Sequence, residues 1–204
     1  MRKLLLTTAA VAAAIAAAVA GEPSFGTFTD ARDGQTYKTV TIGTQTWMAQ
    51  NLNYLSKTGK SWCYNNSADS CKKFGRLYDW ETAKTVCPTG WKLPDTADWR
   101  KLVKTAGGQE IAGKKLKSTS GWKGMKRDGN GTDVYGFSAL PGGYSDSDGS
   151  FYHAGDNGYW WTATAANRDD AYFLDMYYGY DNVSENNYGY KNIGDSVRCV
   201  ADRP

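Results

Sequence analysis

The sequence predicts one α+β domain in the order β-hairpin, helices, antiparallel sheet. Three observations carry this. The stretch "YKTVTI" alternates, with Tyr37, Thr39 and Thr41 on one side and Lys38, Val40 and Ile42 on the other. Between Arg76 and Ser118, apolar residues recur every three or four positions, as on helices packed by one face. After Ser118 that period stops, and glycine, aromatic residues and short alternating runs replace it.

Residues 1–20, "MRKLLLTTAAVAAAIAAAVA", have a basic start, an apolar run and a small-x-small end. They predict a signal peptide cleaved after Ala20. The run is short and weakly hydrophobic for a membrane anchor, and no cysteine follows it to carry a lipid. The expected product is secreted, held at the cell surface or left in the periplasm, with no membrane anchor after cleavage. Residues 21–28 read as a short leader and 29–204 as a single domain.

Each element follows from local chemistry. Gly43-Thr44 interrupts the first alternating run and "QTWMA" resumes it, which predicts a hairpin. The stretch "CYNNSADSC" reads as a loop of turn formers. In "RLYDWETAKTV", Leu77, Trp80 and Ala83 fall on one helical face, and Pro88 and Gly90 stop the helix. Asp95 stands at an N-cap, Asp98 lies in the first turn, and Trp99, Leu102, Val103 and Ala106 form the buried stripe of a second helix. A third, "QEIAGKKLKS", contains Gly113. Strands are expected at "GFSAL", "SFYHA", "GYWWTAT", "AYFLDMYY" and "DSVRCVA", with Asp148-Gly149 turning a hairpin.

From Gly21 onward the net charge is +1, but it is unevenly spread: +10 over residues 57–127 and −8 from Asp128 to the end. The basic residues are mostly lysines scattered over amphipathic helices, so a solvated face is expected and no nucleic-acid partner. The four cysteines are an even number in a chain expected to be exported, which favours disulfides. Of three possible pairings, Cys63–Cys71 is expected because it closes a short polar loop. Cys87–Cys199 would tie the end of the first helix to the last strand.

The motifs "DGQTYKTVTIGTQTWMAQNLNY", "FGRLYDWETA", "VCPTGWKLPDTADW", "GFSALPGGY", "DGSFY", "GYWWTAT" and "SVRCV" occur in this order. In them the chain resembles the Fibrobacter succinogenes major paralogous domain, from about Thr29 to Ala201. The resemblance implies a C-type-lectin-like fold, similar to formylglycine-generating enzymes and to retroelement-diversified receptor-binding proteins. It implies helices packed beside a twisted antiparallel sheet with paired termini, and it puts Cys87 and Cys199 where that fold carries its long disulfide. No activity comes with it.

Enzyme chemistry has little support in the residues. The single histidine, His153, reads as an exposed loop-edge residue, and no nucleophile-elbow pattern accompanies it. Carboxylates are abundant, but most aspartates sit beside Gly, Asn or Ser, where turns explain them. The cysteine pair of formylglycine-generating relatives is absent, since only Cys199 lies near the C-terminal end. Asp146 and Asp148 in "SDSDGS" are a fragment of a calcium loop, and a hairpin turn explains them better. The tripeptides that bind calcium in sugar-binding lectins do not occur. No metal and no cofactor is expected.

Aromatic residues then decide the functional expectation. In "GYWWTAT" and "AYFLDMYY" neighbours point to opposite faces, and the two strands read mostly as core, with Leu174 and Met176 inward and Asp175 toward water. The segment "YGYDNVSENNYGYKN" has Val183 as its only aliphatic residue, and such a mixture cannot be buried without many polar partners. Tyrosine and asparagine are the residues of antibody paratopes. A ligand-binding face is therefore expected from Tyr178, Tyr180, Asp181, Asn182, Asn186, Asn187, Tyr188 and Tyr190. The expected function is a non-catalytic recognition module for extracellular polysaccharide or a surface protein, the polysaccharide being suggested by the family's link with a plant-fibre degrader. An extracellular enzyme acting on glycans or proteins, and a structural component of a surface assembly, are the alternatives.

Overall fold

A computed structural model describes residues 22–124 and 128–202; the expected signal peptide lies outside them. Strands β1 (Ser24–Thr29), β2 (Thr36–Ile42) and β3 (Gln45–Met48) form an antiparallel meander, with Val40 opposite both Phe25 and Trp47. The β2–β3 pair is the expected hairpin, turned at Gly43 with a positive φ of 62°. The leader assigned to residues 21–28 is corrected: from Ser24 it is the edge strand β1. Its side chains are mostly exposed, so no apolar alternation announces it, and backbone pairing with β2 holds it in place.

Three short strands and four helices follow. After β4 (Ser61–Trp62), the cysteine-bounded stretch forms a 3-10 turn at Tyr64–Asn66 and then α1 (Ala68–Phe74), not the expected loop. This helix has too few apolar residues to show a stripe, burying only Cys71 and Phe74. Leu77 is corrected as well. It belongs to β5 (Leu77–Tyr78), paired with β4, and α2 starts only at Trp80 and runs to Val86. The Asp79 side chain caps α2 by accepting from the Thr82 N–H at 2.9 Å. After β6 (Trp91–Lys92), α3 (Thr96–Thr105) carries the expected cap, reinforced into a capping box by Asp98. The third expected helix is α4 (Gln109–Leu116), where Gly113 lets the Asp181–Asn182 backbone come close.

The C-terminal half is mostly sheet. It comprises β7 (Tyr144–Ser145), β8 (Phe151–Tyr152), β9 (Asn157–Ala165), β10 (Asp170–Tyr177), β11 (Ser184–Tyr190), β12 (Asp195–Ser196) and β13 (Val200–Ala201). One sheet runs β1-β2-β3-β13-β6, a second β11-β10-β9-β12-β5-β4, and β7-β8 is a separate hairpin. Among the described residues, all pairings between these strands are antiparallel except β12 with β9. The expected strand "DSVRCVA" is thus two short strands that leave one sheet and join the other. The expected strand "GFSAL" is not formed beyond a single bridge at Ala139, since Gly136 and Ser138 both take positive φ.

The adjacent tryptophans of β9 are core, and each enters a different one. Trp160 packs with Trp47, Trp99, Phe137, Leu174 and Met176 under α3 and α4. Trp161 packs with Tyr78, Trp80, Val86, Phe173 and Val197 under α2. Both ring N–H groups are satisfied, Trp160 by Asn51 Oδ1 at 2.9 Å and Trp161 by the Tyr78 carbonyl at 2.8 Å.

Asn51 also serves Arg198, whose guanidinium is fully buried. The Asn51 Oδ1 accepts from its Nε at 3.0 Å and Nη2 at 2.8 Å, while the carbonyls of Met48 and Phe137 take Nη1. Burial pulls this guanidinium below its ordinary range, partly offset by Asp133. Both expected disulfides are formed. Cys63–Cys71 braces α1, and Cys87–Cys199 joins the end of α2 to the chain just before β13. Among the described residues no helix is long and apolar enough to cross a membrane.

Candidate functional site

The face of the second sheet opposite Trp160 carries a cleft of about 510 Å³, walled by five strands of the C-terminal part of the chain. Alternation along β9 and β10 creates it. The side chains of Trp160, Leu174 and Met176 go to the core beneath, so Tyr159, Phe173 and Asp175 face the other way. Phe173 lies opposite Trp161, and Asp175 opposite Tyr159. The hairpin β7–β8 closes one side with Tyr144 and His153, and its turn is the expected one at Asp148-Gly149. Strand β11 closes the other side with Tyr188, Gly189 and Tyr190.

The rings form a continuous wall. Tyr144 meets Tyr159 edge-on at 5.5 Å between centroids, Tyr159 meets Phe173 at 6.0 Å, and Phe173 meets Tyr188 edge-on at 5.5 Å. His153 Nδ1 lies 2.8 Å from the Tyr159 hydroxyl. Gly189 is required here: a β-carbon would come within 2.8 Å of both Phe173 and Trp161.

The cleft is acidic. Asp146, Asp175 and Asp195 line it, and none of its lining residues is lysine or arginine. Asp175 accepts a hydrogen bond from Asn186 Nδ2 at 2.6 Å, and burial raises its carboxyl above the usual range. Asp195, on β12, is 1% exposed and its Oδ1 has no hydrogen-bond partner. Burial, aided by the Asp175 charge, pushes this carboxyl up to about 8. Burial and then Asp175 raise the Tyr159 phenol as well. Two other hollows, of about 390 and 500 Å³, are each built round an ion pair, Lys92–Asp98 and Arg100–Glu185. The cleft differs from both in leaving its buried carboxyl without a counter-charge.

A stability test follows from Asp195. Its acid form is favoured in the folded chain, so folding takes up a proton between about pH 4 and pH 8. Stability drains away over that window as pH rises. Asp195→Asn should match the parent near pH 4 and exceed it at pH 9 by on the order of several kcal/mol. Urea unfolding at both values checks this, and parallel pH profiles would show that Asp195 ionises freely.

The eight residues expected to form the binding face fall into two groups. Tyr188 and Tyr190 line the cleft and are each 65% exposed, and Asn186 orients Asp175 at its floor. Asn187 is exposed on the same strand, at the irregularity where β11 shifts register against β10. The other four lie apart, on the turn before β11. The Asp181 carbonyl accepts from the Lys114 N–H at 2.9 Å, and Asn182 Nδ2 reaches Ser184 at 3.3 Å. Tyr178 packs on the core and on Tyr177, and Tyr180 is 62% exposed with its carbonyl held by Lys117. The expectation of one contiguous face is corrected: this turn docks on α4 while β11 joins the sheet edge.

Tyr144, His153, Tyr159, Asp175 and Asp195 enter the site unannounced. Of these only Asp175 carries a sequence signal, since it interrupts an otherwise apolar strand. Among the described residues no group of three or more His, Cys, Asp or Glu side chains is arranged to hold a metal ion. The family model described as the Fibrobacter succinogenes major domain matches residues 40–201. No curated protein and no solved structure matches the chain.

Proposed function

This chain belongs to the Fibrobacter succinogenes major domain family, and we propose that it is an exported, non-catalytic recognition module that binds extracellular carbohydrate in the aromatic cleft. The observation that carries the reading is the pair Tyr188 and Tyr190, two rings held wide open to solvent on a strand of a disulfide-braced frame. Sugar faces stack on such rings, and carboxyls and amides beside them satisfy hydroxyl groups. We assign the scaffold to the C-type-lectin-like class. In favour of this stand β1 and β13 sharing one sheet and the long bridge from α2 to the chain before β13. Two disulfides fit an oxidising compartment, as export requires.

The test is a glycan and cell-wall-fibre binding array probed with the chain from Gly21. Tyr188→Ala and Tyr190→Ala should each weaken binding by on the order of tenfold or more, because each removes a stacking platform. Their melting temperatures should move by no more than a few degrees, because exposed rings contribute little to the core. Unchanged binding by both variants would remove the cleft from the proposal. Capture of surface proteins with no glycan retained would keep recognition and change the occupant.

A second reading draws on Asp175 and Asp195 sharing one cleft. Paired carboxylates can run glycoside hydrolysis. Glycan turnover that stops in both Asp175→Asn and Asp195→Asn while binding persists would make the protein an enzyme.

A further inference from the structure

We propose that the cleft seats an organic ammonium group, carried on an amine-bearing glycan, with the Asp195 carboxylate as its counter-charge and the aromatic wall as its cage. This deepens the carbohydrate reading and rests on it. Three features of the cleft converge on a cation. Its acidic lining includes no basic side chain other than His153, which is engaged with Tyr159. Its rings follow one another at 5.5–6.0 Å from Tyr144 to Tyr188 and line one space, and aromatic rings attract cations. Its floor holds a carboxyl oxygen, Asp195 Oδ1, that is buried and unpartnered.

A buried polar atom without a partner is costly, and a fold keeps one where something else satisfies it. The candidates can be ordered by chemistry. An anionic sugar would be opposed by the other two aspartates and would only hold Asp195 in its neutral form. A neutral sugar could donate a hydroxyl to Oδ1 but would gain nothing from the acidic excess. An amine-bearing sugar uses the carboxyl, the charge and the rings together.

Binding should move a proton. The charged and titratable groups around Asp195 are Asp175 on β10, Tyr159 on β9, Tyr78 opposite it on β5, Tyr144 and Asp146 on the β7 side, His153 beyond β8, and Tyr188 and Tyr190 on β11. Burial and Asp175 keep Asp195 protonated at neutral pH in the free protein. A cation beside it favours the carboxylate, so the proton leaves to buffer as the ligand enters.

The experiment is calorimetric titration at pH 7 in two buffers of different ionisation enthalpy. The probes are choline, its uncharged tert-butyl isostere, a glucosamine oligomer and the N-acetylated oligomer. Choline should bind at least roughly tenfold tighter than its isostere and release close to one proton. Its affinity should rise from pH 6 to pH 8 and then level off, and Asp195→Asn should abolish both the preference and the proton release. The free-amine oligomer should bind tighter than the acetylated one. Equal binding of choline and its isostere, or binding without proton release in the parent protein, overturns the inference whatever the variant does. If choline fails while the acetylated oligomer binds as well as the free amine, the ammonium inference falls and the carbohydrate reading stands. Failure of every oligomer removes both.

Discussion

Asn51→Leu should lower the unfolding free energy by about 3–5 kcal/mol, because one amide oxygen serves two buried donors at once. Asn51 Oδ1 accepts from Trp160 Nε1 and from two nitrogens of Arg198, and its Nδ2 donates to the Phe74 carbonyl at 2.8 Å. Leucine fills similar volume but leaves an indole N–H and part of a guanidinium unpaired in the core. The backbone carbonyls of Met48 and Phe137 still hold Nη1, which keeps the loss within that range. Asn51→Asp should fall between parent and leucine variant, since it restores the acceptor and a charge for Arg198 but loses the donor to Phe74. Midpoints of chemical unfolding check the order. A loss under about 1 kcal/mol for the leucine variant would mean that Arg198 finds water or other carbonyls in its place.

Removing Cys87–Cys199 is the second large effect. The bridge spans a sequence separation of 112, and constraining so long a loop in the unfolded chain contributes about 4–5 kcal/mol in the chain-entropy description. The Cys63–Cys71 bridge, with a separation of 8, contributes about 2.5 kcal/mol in the same description. The double variant Cys87→Ala/Cys199→Ala should therefore melt roughly 10–15 °C below the parent. Cys63→Ala/Cys71→Ala should fall less and should act mainly on α1. Calorimetry of the two variants side by side decides the matter, and an equal or reversed order would refute the loop-length account.

The elements read most easily in the sequence are those with their own chemistry. The Asp95 cap, the Trp99–Leu102 stripe and the alternation from Tyr37 to Ile42 are all local signals, and each appears where expected. The failures are non-local. Strand β1 exists because β2 offers it an edge, and α1 because a disulfide and two side chains hold it, so neither writes a period into its own residues. Leu77 keeps helical spacing with Trp80 and Ala83 yet is held in a strand by its pairing with Trp62. The stretch 136–140 turns away from extended geometry, and the Phe137 and Ser138 carbonyls reach Arg198.

The site divides in the same way. Tyr188 and Tyr190 were legible because a tyrosine-asparagine strand without aliphatic residues cannot be core. Tyr178 to Asn182 share that composition, but their backbone packs on α4, which composition cannot express. The floor was illegible for another reason. Asp195 sits two residues before Val197 in what reads as an ordinary final strand, and its unpaired oxygen results from β12 lying between β9 and β5. Tyr144 and His153 reach the cleft only through the β7–β8 hairpin.

The first strand and the last lie in one sheet, and no residue of that sheet lines the cleft. A tether, a label or a neighbouring module joined at either end would accordingly leave the opening clear. Several copies could be strung on one polypeptide, or immobilised on a bead, with every mouth still accessible. On the proposed reading, such a string would turn a weak single grip into a strong multipoint hold on a repeating glycan.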